Sequence, residues 1–142
     1  MALIASDADD RCDQLALLSD RLASLIDEET ALYRAGQFRE AAPLVVEKGK
    51  LTAIYQMELR RIGQQRDLID TASEAARDAL RLATERLRQV LARHEAALKR
   101  ARDLTDGLVQ AIAEEVRMEA HVPLGYGGGV ANARPIALDA RA

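Results

Sequence analysis

From about Ala72 to Met118 nothing in the chain stops a helix, and Leu80, Leu87, His94, Ala101 and Leu108 recur every seven residues. Three places later so do Ala83, Val90, Ala97, Leu104 and Ala111. A sustained heptad of this kind keeps one stripe facing a neighbouring helix, and alanines on the seam let that neighbour come close. The rest of the chain must therefore supply helices to lie along it. Composition agrees: the 142 residues are 49% hydrophobic, yet only three Tyr and one Phe are aromatic. Ala and Leu carry most of the apolar content, and they favour helix over strand. A sandwich, a barrel, a collagen-like repeat and a disulfide scaffold are excluded. The expected fold is all-α, an elongated antiparallel three-helix bundle or coiled coil.

The expected helices cover about 10–35, 38–69 and 72–118, forming one bundle over residues 1–120. In the first, Leu15, Leu18, Leu22, Leu25 and Leu32 follow alternating three- and four-residue steps, with Gly36 placed to end it. The second carries a weaker stripe, Leu44, Leu51, Tyr55, Ile62 and Ile69, interrupted by Lys48 and Glu58. Thr71 and Glu74 have capping-box spacing at the start of the third. Pro123 and four glycines between 125 and 129 cannot continue a helix, so residues 121–142 are expected to form a flexible tail. Glu29 and Lys48 break their stripes where the two helices can face each other. They fit either a partly buried ion pair that fixes register or two side chains snorkelling to solvent.

The net charge of −3 is unevenly spread. Residues 1–59 carry 6 basic and 11 acidic side chains, whereas residues 60–102 carry 11 basic and 6 acidic. Opposite blocks invite helices that face each other, antiparallel. The basic block holds no aromatic, which argues against a nucleic-acid partner. No apolar run reaches the length needed to span a bilayer, so membrane insertion is not expected. Cys12 is alone and the N-terminus is acidic rather than signal-like, which points to a soluble cytoplasmic protein.

No catalytic set, cofactor site or metal site is expected. Leu91 and Met118 stand where a Glu-x-x-His pair would need glutamate before His94 and His121. His94 reads as a polar residue setting register on the seam. The cluster Gly125–Gly129 lacks the strand, the Lys-Ser/Thr pair and the following helix of a phosphate loop. Cys12 sits among acids that disfavour its thiolate.

Helix length points to a different kind of function. At 1.5 Å per residue the third helix is about 68 Å long and the second about 47 Å. Folded back on each other, they run out of pairing near residue 103. Beyond that point Leu104, Leu108, Ile112 and Val116 still form a stripe, with Ala111 and Glu115 on the same stretch. An uncovered apolar helical stripe marks a place where another helix binds. Two occupants are open: a partner protein, or a second copy in a structural coiled-coil oligomer. The expected state is a monomer or a weak homodimer.

The layout also resembles the FlgN-type flagellar export chaperones. The residues that carry the resemblance are Asp27-Glu-Glu-Thr-Ala-Leu-Tyr33, the turn Ala35-Gly-Gln37, Glu47-Lys-Gly-Lys-Leu51, the long Arg-rich third helix and Tyr126-Gly-Gly-Gly129. The resemblance implies a non-enzymatic cytoplasmic chaperone for late flagellar subunits, the hook–filament junction (hook-associated) proteins. It places the partner contacts on the end of the third helix and the tail, at Leu104, Leu108, Ala111, Ile112 and Val116. It makes Tyr126 a contact for the export machinery at the export gate.

Overall fold

The computed structural model describes residues 2–120, which are all-α. The helices among them are α1 (Ala8–Arg34), α2 (Phe38–Gln64), α3 (Asp67–Asp70) and α4 (Glu74–Ala120). Contacts group the chain into two units, residues 1–98 and 99–142. The expected tail, with His121 and Tyr126, lies outside the described residues.

In the first unit, Asp7 caps α1 by accepting from the Asp10 backbone N–H at 2.8 Å, and Asp9 and Asp10 complement the positive helix end. At the other end Gly36 takes φ +72°, the left-handed turn that a side chain would oppose. The expected ends of the first and third helices lie within two residues of those observed.

The second helix differs more. It stops at Gln64 rather than 69, because Gln65 adopts an extended backbone (φ −135°, ψ 83°) and the chain turns into the single-turn α3. Ile69 therefore leaves the expected stripe and packs with Leu80 and Ala8 against Cys12, Ala72 and Ala76. The cap of α4 is corrected as well. Ser73, not Thr71, accepts from the Ala76 N–H at 3.2 Å, while the Thr71 hydroxyl donates to Asp67 O. The Ser73 N–H donates to Asp9 Oδ1 at 2.6 Å, so α1 supplies the carboxylate that a capping box takes from its own helix.

Arg11–Glu58 at one end of α1, with Arg21–Glu47 and Glu29–Lys48 farther along it, sets α1 against α2 with opposite chain direction. On its other side α1 runs parallel to α4. Asp20 meets Arg86 at 3.0 Å and Asp27 meets Arg93 at 3.1 Å, one heptad apart on both helices. The acidic and basic blocks do face each other, but along parallel helices rather than antiparallel ones. The central core is Leu22, Ala23, Ile26, Leu87 and Val90, with Leu51 and Tyr55 packed against it.

Candidate functional site

The described part of the second unit, residues 99–120, is helical throughout and almost wholly exposed. Leu104 is 76% exposed, Leu108 62% and Ile112 50%. Ala111 and Glu115 are exposed, and Val116 is half-buried. Steps of three and four residues put Leu104, Leu108, Ala111, Ile112 and Glu115 on one face of the helix. Glu115 falls seven residues after Leu108, at the apolar heptad position, so a carboxylate interrupts one seam of the stripe. Ala111 and Met118 line a shallow concavity with Glu114, Glu115 and Glu119. Val109 and Met118, also exposed, were not on the expected stripe. Val109 lies off the heptad positions that identified it, whereas Met118, seven residues after Ala111, continues that seam.

Within the first unit the same heptad positions are filled. Ala83, Leu87, Val90, His94 and Ala97 are all buried. An apolar face that is core at residues 83–97 and solvent-exposed at 104–112 has surface to offer to something outside the chain.

Glu29 and Lys48 approach to 2.5 Å; the carboxylate is buried and the ammonium about a quarter exposed. Three further groups meet there. Thr30 Oγ1 donates its one proton to Ile26 O at 2.7 Å, so it accepts from His94 Nδ1–H at 2.9 Å. That fixes the neutral tautomer and leaves His94 Nε2 facing Glu29 Oε1 at 3.9 Å. Tyr33 stacks on the imidazole with ring centroids 5.9 Å apart. A hydrogen bond to Glu29, with burial, pushes the Tyr33 phenol above its ordinary value. Burial holds His94 below its ordinary value, against the pull of Glu29 and with Lys48 adding to it.

A second buried ion pair escaped sequence reasoning. Glu58 is 0% exposed and takes Arg11 Nη1 at 2.9 Å on one oxygen and the Leu3 N–H at 3.0 Å on the other. Glu58 was visible as an interruption in the α2 stripe. Arg11 gave no such signal, since it precedes the first leucine of α1. Cys12 is buried, and burial together with Asp9 and Asp13 pushes its thiol up, away from the reactive thiolate. Among the described residues no helix is long and apolar enough to cross a membrane.

No protein-family model matches the chain. A protein of Caulobacter vibrioides described as flagellar basal-body protein FlbY is 39% identical over 137 residues, covering 95% of this chain and 92% of that protein. The chain belongs to the FlbY family of flagellar proteins. The match spans the FlbY protein almost end to end, so the exposed stripe lies on chain that is common to both. No solved structure matches.

Proposed function

We propose that this protein is a non-enzymatic flagellar export chaperone that works in the cytoplasm. In this reading it holds hook–filament junction proteins on the distal part of α4 before their export. The observation that carries it is the exposed stripe Leu104, Leu108, Ala111 and Ile112, continued by the half-buried Val116, in a member of a flagellar family. Subunits that assemble outside the cell have amphipathic segments that would associate in water. Laying such a segment along the stripe shields two apolar surfaces at once. The bound segment loses conformational freedom, which keeps affinity moderate and allows hand-over. Glu115 fits this role as a polar contact beside the apolar anchors, and Tyr126 as a contact for the export gate.

The alternative, a structural coiled coil whose stripes pair with each other, meets an obstacle at Glu115. In a parallel pair two carboxylates would oppose each other on the seam, and in an antiparallel one each would be buried against an apolar residue.

The test is titration of purified hook–filament junction proteins from the same cell against the wild type and Leu108→Asp. The variant should bind at least about tenfold more weakly, as expected when a central apolar anchor is lost. Its circular dichroism and melting should match the wild type. Melting of the whole protein by that substitution, or absence of binding by the wild type, would overturn the reading.

A further inference from the structure

A second unpartnered face lies on α2, in the first unit. Arg39, Val46, Lys50, Ala53, Met57 and Arg60 follow each other at spacings that keep them on one side of the helix, and all six are exposed. Val46 is 60% exposed. Between them Gly49 has open space around the position of a Cβ. The face is thus apolar, low in profile and cationic. The three acidic residues of α2 lie off this face: Glu47 pairs with Arg21, Glu58 is buried with Arg11, and exposed Glu40 sits about 100° round the helix from Arg39. The stripe on distal α4 has the complementary character. Its apolar side chains are large, and the charges at its end, Glu115 and Glu119, are anionic.

We infer that the α2 face receives the distal α4 stripe of a second copy of this chain. This rests on the stripe being a docking surface, as proposed above. Charge decides which faces meet. The α2 face against itself sets Arg39, Lys50 and Arg60 against their own kind, and the stripe against itself strands Glu115. Only the unlike pairing brings glutamate to lysine and arginine, and it also sets leucine and isoleucine over glycine and alanine, where helices can approach closely. Each copy offers one face of each kind, so two copies can close on each other reciprocally, or the contact can repeat into a ring or an open row. One helix face on another is a small interface, so the assembly depends on concentration and on salt. A junction protein on the stripe competes with it directly.

The experiment uses the full chain and two variants with exposed substitutions: Val46→Glu/Lys50→Glu, which spoils the α2 face, and Leu108→Asp, which spoils the stripe. Light scattering across a hundredfold concentration range should show wild-type mass rising from monomer to dimer or beyond, and falling back in about 0.5 M sodium chloride, where screening shortens to a few ångströms. Each variant alone should stay monomeric with an unchanged melting temperature. Mixed in equal amounts they should form a one-to-one dimer that grows no further, because one intact stripe then meets one intact α2 face. The α2 variant should still bind junction protein as the wild type does. A wild type that stays monomeric, an α2 variant that assembles normally, or an equal mixture of the two variants that stays monomeric would each overturn the inference. If Leu108→Asp still loses junction-protein binding in that case, the chaperone reading stands without it.

Discussion

Glu29 and Glu58 are carboxylates on the inner faces of a small hairpin, and each survives there by holding a cation from the opposite helix. Removing one member of a buried pair leaves the other charge desolvated, an effect of about 3–5 kcal/mol, whereas replacing both with apolar side chains is close to neutral. Urea denaturation should therefore find Glu58→Leu and Arg11→Met each strongly destabilised, and the double substitution far less so. The same ordering should hold for Glu29→Leu, Lys48→Leu and their combination. Equal losses in singles and double would mean that the pairs are solvated and carry no register. His94 adds a pH dependence. Its buried imidazole is held below the ordinary 6.5, so the unfolded chain takes up a proton before the folded one does. Stability is then intact above that value and declines as pH falls below it, and His94→Gln should flatten the decline between about pH 7 and 5. The sequence made one pair legible, because Glu29 and Lys48 each fall where an apolar residue was due. The other stayed hidden because arginine before the first leucine of a helix looks like an ordinary solvated residue.

At the scale of elements, α4 is started by its neighbour. Ser73 caps it, and Asp9 of α1 holds the Ser73 N–H, so the beginning of the longest helix depends on α1 being in place. Ser73→Ala should lower stability by about 1 kcal/mol in chemical denaturation, the usual effect of losing a cap. Thr71→Ala should change little, since the Thr71 hydroxyl donates only to Asp67 O at 3.4 Å. The reverse result would restore the capping box that the spacing of Thr71 and Glu74 suggests. That spacing misled because a partner 64 residues away in sequence took the place of the local glutamate. The end of α2 was hidden for a similar reason. Ile69 continues the period of its stripe, but its apolar surface is used after the chain has turned, against Cys12, Ala72 and Ala76. The heptad of α4 was legible throughout, because apolar residues every three to four positions leave a periodic trace whether or not anything covers them. Periodicity says which face is apolar and nothing about where its cover stops.

Across the whole molecule, the two units differ in what their helices rest on. In the first, residues 83–97 of α4 are fixed by a core that includes Leu22, Ala23 and Ile26 from α1. In the second, the same period runs on through exposed side chains, and Gly107 stands in the helix with open space around it. Helix lacking tertiary packing is marginal in water, and a glycine lowers it by a further 1 kcal/mol or so relative to alanine. Amide exchange along α4 in the monomeric Val46→Glu/Lys50→Glu variant should therefore fall into two regimes. Backbone N–H groups at 83–97 should exchange only through global unfolding, and those at 104–118 through local fraying that is orders of magnitude faster. Gly107→Ala should slow exchange in the second stretch alone, because nothing near residue 107 would collide with a methyl group. A bound junction protein should slow it far more, by supplying the apolar contacts that this chain withholds. Relative helix lengths pointed to the unpaired stretch near residue 103, because rise per residue is the same for every α-helix. The cationic face of α2 left no such trace, since Val46 and Met57 looked like ordinary members of an amphipathic helix until their exposure was known. Uniform protection of α4 from Ala83 to Met118 in the monomeric Val46→Glu/Lys50→Glu variant would mean that the distal stripe is already covered by its own chain, and both docking proposals would fall with it.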